Sequence, residues 1–136
     1  MPGLNRTLEQ QRACYALECI RGHEKDRAAK EYGSLVRGLP SMVLQNGLGQ
    51  ALAFLLARAG GDTEKPPAGQ IYAELQGWLA GAADDQRPDR IYSHGGLIDG
   101  LMGGSRQDYR RAQLNALALL AWMRKFADAW LPKGER

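Results

Sequence analysis

The chain has 136 residues, 44% hydrophobic and 24% charged, the profile of one globular domain long enough to bury its own core. Lys and Arg number 18 against 15 Asp and Glu, a net charge of +3 that mildly favours a polyanionic partner. No apolar run is long enough to span a bilayer, and "MPGLNRTLEQ" lacks the apolar core of a secretory signal, so a cytoplasmic protein without membrane contact is expected.

Thr7-Leu8-Glu9-Gln10 has the form of a capping box, in which the Thr7 hydroxyl and the Gln10 amide satisfy each other's backbone N–H groups. Ala13, Ala16, Leu17 and Ile20 follow as one apolar stripe, which predicts a first helix over about 7–22, ending near Gly22. On that helix Cys14 and Cys19 stand roughly 140° apart and cannot bridge, so two free thiols are expected, as in a reducing compartment. The charged stretch "HEKDRAAKEYGSLVRG" restarts a helix, with Asp26 as its N-cap and Tyr32, Leu35 and Val36 on its inner face.

"LPSMVLQNGLGQALAFLL" (39–56) sends two opposed signals. Asn46-Gly47 between apolar runs is a strong hairpin mark, yet the surrounding Leu, Ala, Met and Gln favour helix. The run after Gly47 is too long for an ordinary strand, contains no β-branched residue and does not alternate with period two. Met42, Val43, Leu44, Leu48, Leu52, Phe54, Leu55 and Leu56 point nearly all round a helical wheel, the pattern of a core helix. Residues 40–58 are therefore expected to form a central helix, with Pro40 in its first turn and Asn46-Gly47 as the place where it would break. Gly47 and Gly49 mark either a kink or the close approach of a neighbouring helix backbone.

"AGGDTEKPPAGQ" reads as a linker, and Pro66-Pro67 stops any helix. Ile71, Leu75, Trp78 and Leu79 then predict a short helix over about 69–80. Loops are expected over 60–68 and 81–95, and "GGLIDGLMGG" supplies one or two helical turns through Leu97, Ile98, Leu101 and Met102. Ser105-Arg106-Gln107-Asp108 is a second capping signal and opens a long C-terminal helix over about 106–130. Its inner face carries Tyr109, Ala112, Ala116, Leu119, Leu120, Met123, Phe126, Ala127 and Trp130. Its outer face carries Arg106, Arg110, Arg111, Arg124 and Lys125, interleaved with Leu114 and Leu117. The tail "PKGER" is expected to fray. With no credible strand and no internal repeat, the expected fold is all-α, a single domain over 1–136 built as a bundle of about five to seven helices.

Reactive chemistry is sparse. Cys19 and His23 lie four apart, but two ligands do not make a zinc site, and Cys–His catalysis would need a third, orienting group. "SHGGLIDG" has the His-Gly-Gly look of an esterase oxyanion segment without the nucleophile elbow. "GLMGGSR" lacks the Gly-Lys-Ser/Thr and the preceding strand of a phosphate loop. Asp84, Asp85 and Asp89 read as solvated loop carboxylates. No metal, cofactor or catalytic residue is assigned. An enzyme built on His94, Asp99 or Cys19 is the weakest reading. The basic outer face of the last helix is the stronger candidate, because guanidinium pairs with phosphate bidentately. Arg6, Arg12, Arg27, Lys30, Arg37 and Arg58 could extend it.

Three blocks carry a resemblance: "NRTLEQQRA" (5–13), "KEYGSLVRGLPSMVLQNGLGQALAFLLAR" (30–58) and "YRRAQLNALALLAWMRKFADAW" (109–130). Together they cover close to half the chain, in order, and include the unusual run "NGLGQALAF" (46–54). They resemble the small helical subunit, the fifth Cmr protein, of the type III-B CRISPR effector complex. The resemblance implies an all-helical subunit with no catalytic activity of its own. It implies that copies stack as the minor filament beside the major-filament subunit, contact the large polymerase-like subunit at one end, and line a channel for guide RNA and target RNA. Target cleavage would belong to the major-filament subunits. Within this reading Arg6, Arg12, Arg37, Arg58, Arg106, Arg110, Arg111, Arg124 and Lys125 are the expected phosphate contacts. The alternative is a free-standing helical module that binds nucleic acid or protein.

Overall fold

A computed structural model describes residues 6–80, 91–92 and 96–133. Among these the chain forms six helices and no strand: α1 (Leu8–Arg21), α2 (Ala29–Asn46), α3 (Leu48–Arg58), α4 (Ala68–Leu79), α5 (Leu97–Gly103) and α6 (Arg106–Trp130). The expected all-α bundle with a long C-terminal helix is what is observed. The loop carboxylates Asp84, Asp85 and Asp89, His94 and the end of the tail lie outside the described residues.

α1 starts as its sequence requires. The Gln10 N–H donates to Thr7 Oγ1 (3.0 Å), and the Thr7 N–H donates to Gln10 Oε1 (2.8 Å). α2 departs from expectation at both ends. Its N-cap is Ala28, which has no side-chain bond to offer, while the Asp26 carboxylate turns to His23 instead. Pro40 does not open a helix but sits inside one. The stripe Tyr32, Val36, Leu39 and Val43 continues through it with no more than 1% exposure, and burying that stripe outweighs the hydrogen bond lost at proline.

The expected central helix over 40–58 is therefore the second half of α2 plus all of α3, broken at the anticipated point. Gly47 has φ +91° and ψ 158°, a backbone conformation that side-chain-bearing residues rarely adopt, and it turns the chain directly from one helix into the next. The segment is not buried all round either. Leu48, Ala51, Leu52 and Leu55 face the core, whereas Leu44 is 70% exposed.

Neither Gly47 nor Gly96 can cap the helix it precedes, and both caps are supplied from elsewhere in the fold. The Leu48 N–H donates to Gln113 Oε1 (2.9 Å) and the Gly49 N–H to Tyr109 Oη (2.9 Å), both from α6. The Leu97 N–H donates to Gln76 Oε1 (2.8 Å) and the Ile98 N–H to Tyr72 Oη (3.0 Å), both from α4. In each case a Tyr and a Gln four residues later, adjacent on one helix face, satisfy two of the N–H groups that every helix start leaves open. At Gly49 the close neighbours are thus the Met102 methyl and the Tyr109 hydroxyl, not the helix backbone that the sequence suggested.

α6 is the hub. It packs against all five other helices, most extensively α1 and α2. Ala112, Ala116, Leu119, Leu120, Met123 and Ala127 are fully buried along one face. Small residues at 112, 116 and 127 let neighbouring helices come close, and the bulk of the core is filled from the other side by Tyr32, Leu39, Leu52, Leu75 and Trp78. This arrangement fixes which side of α6 is left to solvent.

Candidate nucleic-acid interface

Opposite its buried face, α6 presents Arg106, Arg110, Leu114, Ala121, Arg124 and Lys125 along one ridge, whereas Leu117, expected there, is half-buried against the core. From Arg106 to Lys125 the ridge spans about 28 Å at 1.5 Å per residue. Arg106, Arg110, Arg124 and Lys125 are exposed and make no ion pair with another described residue. Arg111 is exposed too, and its Nη1 lies 3.4 Å from Asp108 Oδ1, one turn back. Such half-exposed i,i+3 pairs are worth well under about 1 kcal/mol, so a phosphate could displace that carboxylate.

Two other acidic residues beside the ridge are engaged from behind. Asp128 accepts from Arg37 Nε (2.8 Å), a residue of α2, and this hydrogen bond holds its carboxyl below the usual carboxylate range. Glu9 accepts from Arg12 Nη1 and from Trp122 Nε1, each at 2.8 Å. The ridge is left net cationic at both ends. Its middle is apolar: Leu114 is 59% exposed, and Ala118, Ala121, Trp122 and Lys125 with Glu9 line a shallow groove of about 260 Å³.

The other expected contacts are dispersed. Arg37 is only 18% exposed and also donates to the carbonyl oxygens of Ala127 (3.0 Å) and Leu131 (3.3 Å), so it caps the C-terminus of α6 and ties it to α2. Arg12 is largely buried and donates to Asn115 Oδ1 (3.0 Å) as well as to Glu9. Arg58 pairs with Glu31 (3.1 Å) in an exposed bridge between α3 and α2. Arg6 is exposed, with its Nη1 3.5 Å from the Cys14 sulfur. Arg27 and Lys30 are exposed at the start of α2. The nine expected residues thus divide into five on α6, three near its start and two near its end, and four that hold other contacts.

One cation outside the expected set stands out. The Arg21 guanidinium lies 4.8 Å over the Trp130 ring, at the far end of a row in which Trp122, Phe126 and Trp130 follow at 5.5 and 5.7 Å. The i, i+4, i+8 spacing of these aromatics is visible in the sequence. The distant arginine that completes the row is not.

The remaining polar cluster is built for structure. His23 is 7% exposed. Its Nδ1 is 2.7 Å from Asp26 Oδ2 and its Nε2 is 2.7 Å from Glu74 Oε2, and its ring stacks on Tyr32. Neither nitrogen has a lone pair to spare for a metal or a substrate proton. Burial, reinforced by the charge of Glu74, pushes the Cys19 thiol well above its ordinary range, the opposite of what a nucleophile needs. Cys14 and Cys19 are both free. Asp99 is exposed on the first turn of α5. Among the described residues no group of three or more His, Cys, Asp or Glu could hold a metal ion, and no helix is long and apolar enough to cross a membrane.

Comparison with known proteins gives two concordant matches. Residues 8–130 match the family described as CRISPR-associated protein (Cas_Cmr5). The fold is also similar to the X-ray crystal structure of a CRISPR-associated Cmr5 family protein from Thermus thermophilus. The two superpose with a TM-score of 0.69 at 26% identity, covering 93% of this chain and 98% of that one.

Proposed function

The chain belongs to the CRISPR-associated Cmr5 family, and from that premise we propose that it is the non-catalytic small subunit of a type III-B RNA-guided complex and touches guide RNA and target RNA through the outer ridge of α6. Copies of the chain stack as the minor filament, next to the major-filament subunit, with the large polymerase-like subunit at one end. The observation that carries the RNA-facing part is the ridge itself. Four exposed cations with no ion pair among the described residues and one weakly paired arginine lie on the outer side of a single helix, while the flanking Asp128 and Glu9 are paired from within by Arg37 and Arg12.

Binding through such a surface is sequence-independent. Each cation that meets a phosphate releases condensed counterions, so affinity falls linearly with the logarithm of salt concentration. Sequence is read by base pairing between guide and target, a division of labour that RNA-guided effectors share. One subunit alone has few contacts and binds RNA weakly. Stacked copies multiply those contacts through effective concentration.

The test is charge reversal in a reconstituted complex: Arg106→Glu with Arg110→Glu, and separately Arg124→Glu with Lys125→Glu. All four side chains are exposed, so the helical circular dichroism spectrum should be unchanged. Target affinity should drop, and the slope of log K against log salt should lose about 0.7–0.9 for each phosphate contact removed. A complex carrying all four reversals that binds target with wild-type affinity and slope would remove α6 from the RNA path.

A further inference from the structure

The segment between α1 and α2 is held by one buried imidazole. His23 follows the end of α1 at Gly22, and its two ring nitrogens bridge Asp26, in the same segment, and Glu74, in the middle of α4. Glu74 is the centre of a wider knot, since the Tyr32 hydroxyl of α2 donates to its other carboxylate oxygen and the Tyr15 hydroxyl of α1 donates to its backbone carbonyl. A carboxylate only accepts hydrogen bonds. Two carboxylates at 2.7 Å therefore require both ring nitrogens to donate, which makes His23 an imidazolium in this arrangement.

We propose that His23 is a proton-operated clasp, which fastens the 22–28 segment to α4 when protonated and releases it when the proton leaves to solvent. Loss of the proton turns one ring nitrogen into an acceptor facing a carboxylate oxygen, so one of the two 2.7 Å bonds becomes a repulsion between lone pairs. Asp26 or Glu74 is then left without its cation. Glu74 keeps its bond from Tyr32, whereas the other acidic residues nearby, Glu64 in the 59–67 loop and Glu18 on α1, can only add negative charge. Cys19 and Tyr32 are pushed up by burial and stay neutral, so they do not compete for the proton. The segment's remaining backbone bonds are local, Gly22 to Glu18, His23 to Ile20, Glu24 to Arg21, Asp26 to His23, Ala29 to Asp26 and Tyr32 to Ala28, and none of them reaches α4.

The direction follows from linkage. Burial by itself would lower the His23 pKa, but the hydrogen bonds and charges of Glu74 and then Asp26 outweigh it, and the net shift is upward. A raised folded-state pKa means that the clasp is fully closed below the ordinary histidine value of about 6.5 and weakens as pH rises through the folded value. The window thus opens at the ordinary histidine value and closes at the raised folded one.

The experiment uses the full chain with isotope-labelled histidine, followed by NMR from about pH 6 to about pH 9, with His94→Gln to assign the two imidazoles. His23 should titrate above about 6.5 with both nitrogens protonated at the acid end of the range, and Glu74→Gln should lower that value. Amide exchange of residues 22–28, corrected for intrinsic rates, should quicken by up to about tenfold per pH unit between the two pKa values and level off beyond. In His23→Gln the same exchange should be flat with pH, and Asp26→Asn gives an independent variant if His23→Gln does not fold. A His23 that titrates at or below its ordinary value, or exchange in 22–28 that does not respond to pH in the wild type, would overturn the proposal.

Discussion

The borrowed cap of α3 lends itself to a direct energetic test. Tyr109→Phe keeps the ring and removes only the hydroxyl that accepts the Gly49 N–H at 2.9 Å. Gly49 is buried, so its N–H is left without a partner and without water. An orphaned buried donor costs about 1–3 kcal/mol. Gln113→Leu does the same to the Leu48 N–H, whose residue is also buried, and should fall in the same range. The two side chains are neighbours that cap consecutive amides of one helix start, so the double variant should depart from the sum of the single losses by about 0.5–3 kcal/mol. In urea, with an m-value of about 2 kcal/mol/M for a domain of this size, a loss of about 1.5 kcal/mol moves the midpoint by about 0.75 M. Gln107→Leu, on the exposed side of the same helix, is the control and should move it little. If both Tyr109→Phe and Gln113→Leu unfold within about 0.2 M of the wild type, α3 does not depend on α6 for its start.

Two further predictions follow from single positions. Gly47→Ala places a Cβ on a residue with φ +91° and brings it 3.1 Å from the Tyr109 hydroxyl, so thermal unfolding should show a loss of about 1–3 kcal/mol; a variant as stable as the wild type would mean the corner can be reached from ordinary backbone angles. Asp128→Asn removes the partner of Arg37, and because Asp128 is half exposed the loss near neutral pH should stay within about 1 kcal/mol. The Asp128 pKa is depressed chiefly by the Arg37 hydrogen bond, so that contribution is present above the ordinary carboxylate value and vanishes as pH falls through the depressed one. The gap between Asp128→Asn and wild type should therefore close in acid, and a gap that is constant with pH in urea midpoints would argue that the pair contributes no charge-dependent stability.

What the sequence reveals here depends on how far apart the cooperating residues are. Thr7 and Gln10 lie within one turn, and the capping box they spell is the one that forms. The inner face of α6 is a property of one helix, and six of the nine residues assigned to it are fully buried. Pro40 misleads because its preference for a first turn is a local tendency, overruled by an apolar stripe that runs from Tyr32 to Val43. Asp26 misleads for a related reason: its carboxylate has a stronger partner in an imidazole held by α4. The basic residues show the limit most clearly. Arg37 and Arg110 look alike in the sequence, yet one meets an aspartate 91 residues away while the other faces solvent. The repeated Tyr-x-x-x-Gln at 72–76 and 109–113 is written in the sequence, but its meaning depends on which helix start comes to rest against it.

Because α3 opens on side chains held by α6, the two cannot become ordered independently. On the ribosome, the polypeptide up to residue 58 already contains every atom of α3, yet the acceptors for its first amides have still to be translated. The hinge at Gly47 would then stay unlatched until α6 emerges, and the N-terminal half would wait as a loosely joined set of helices. Completion of α6 would then be the closing step, since only it supplies the acceptors for the first amides of α3.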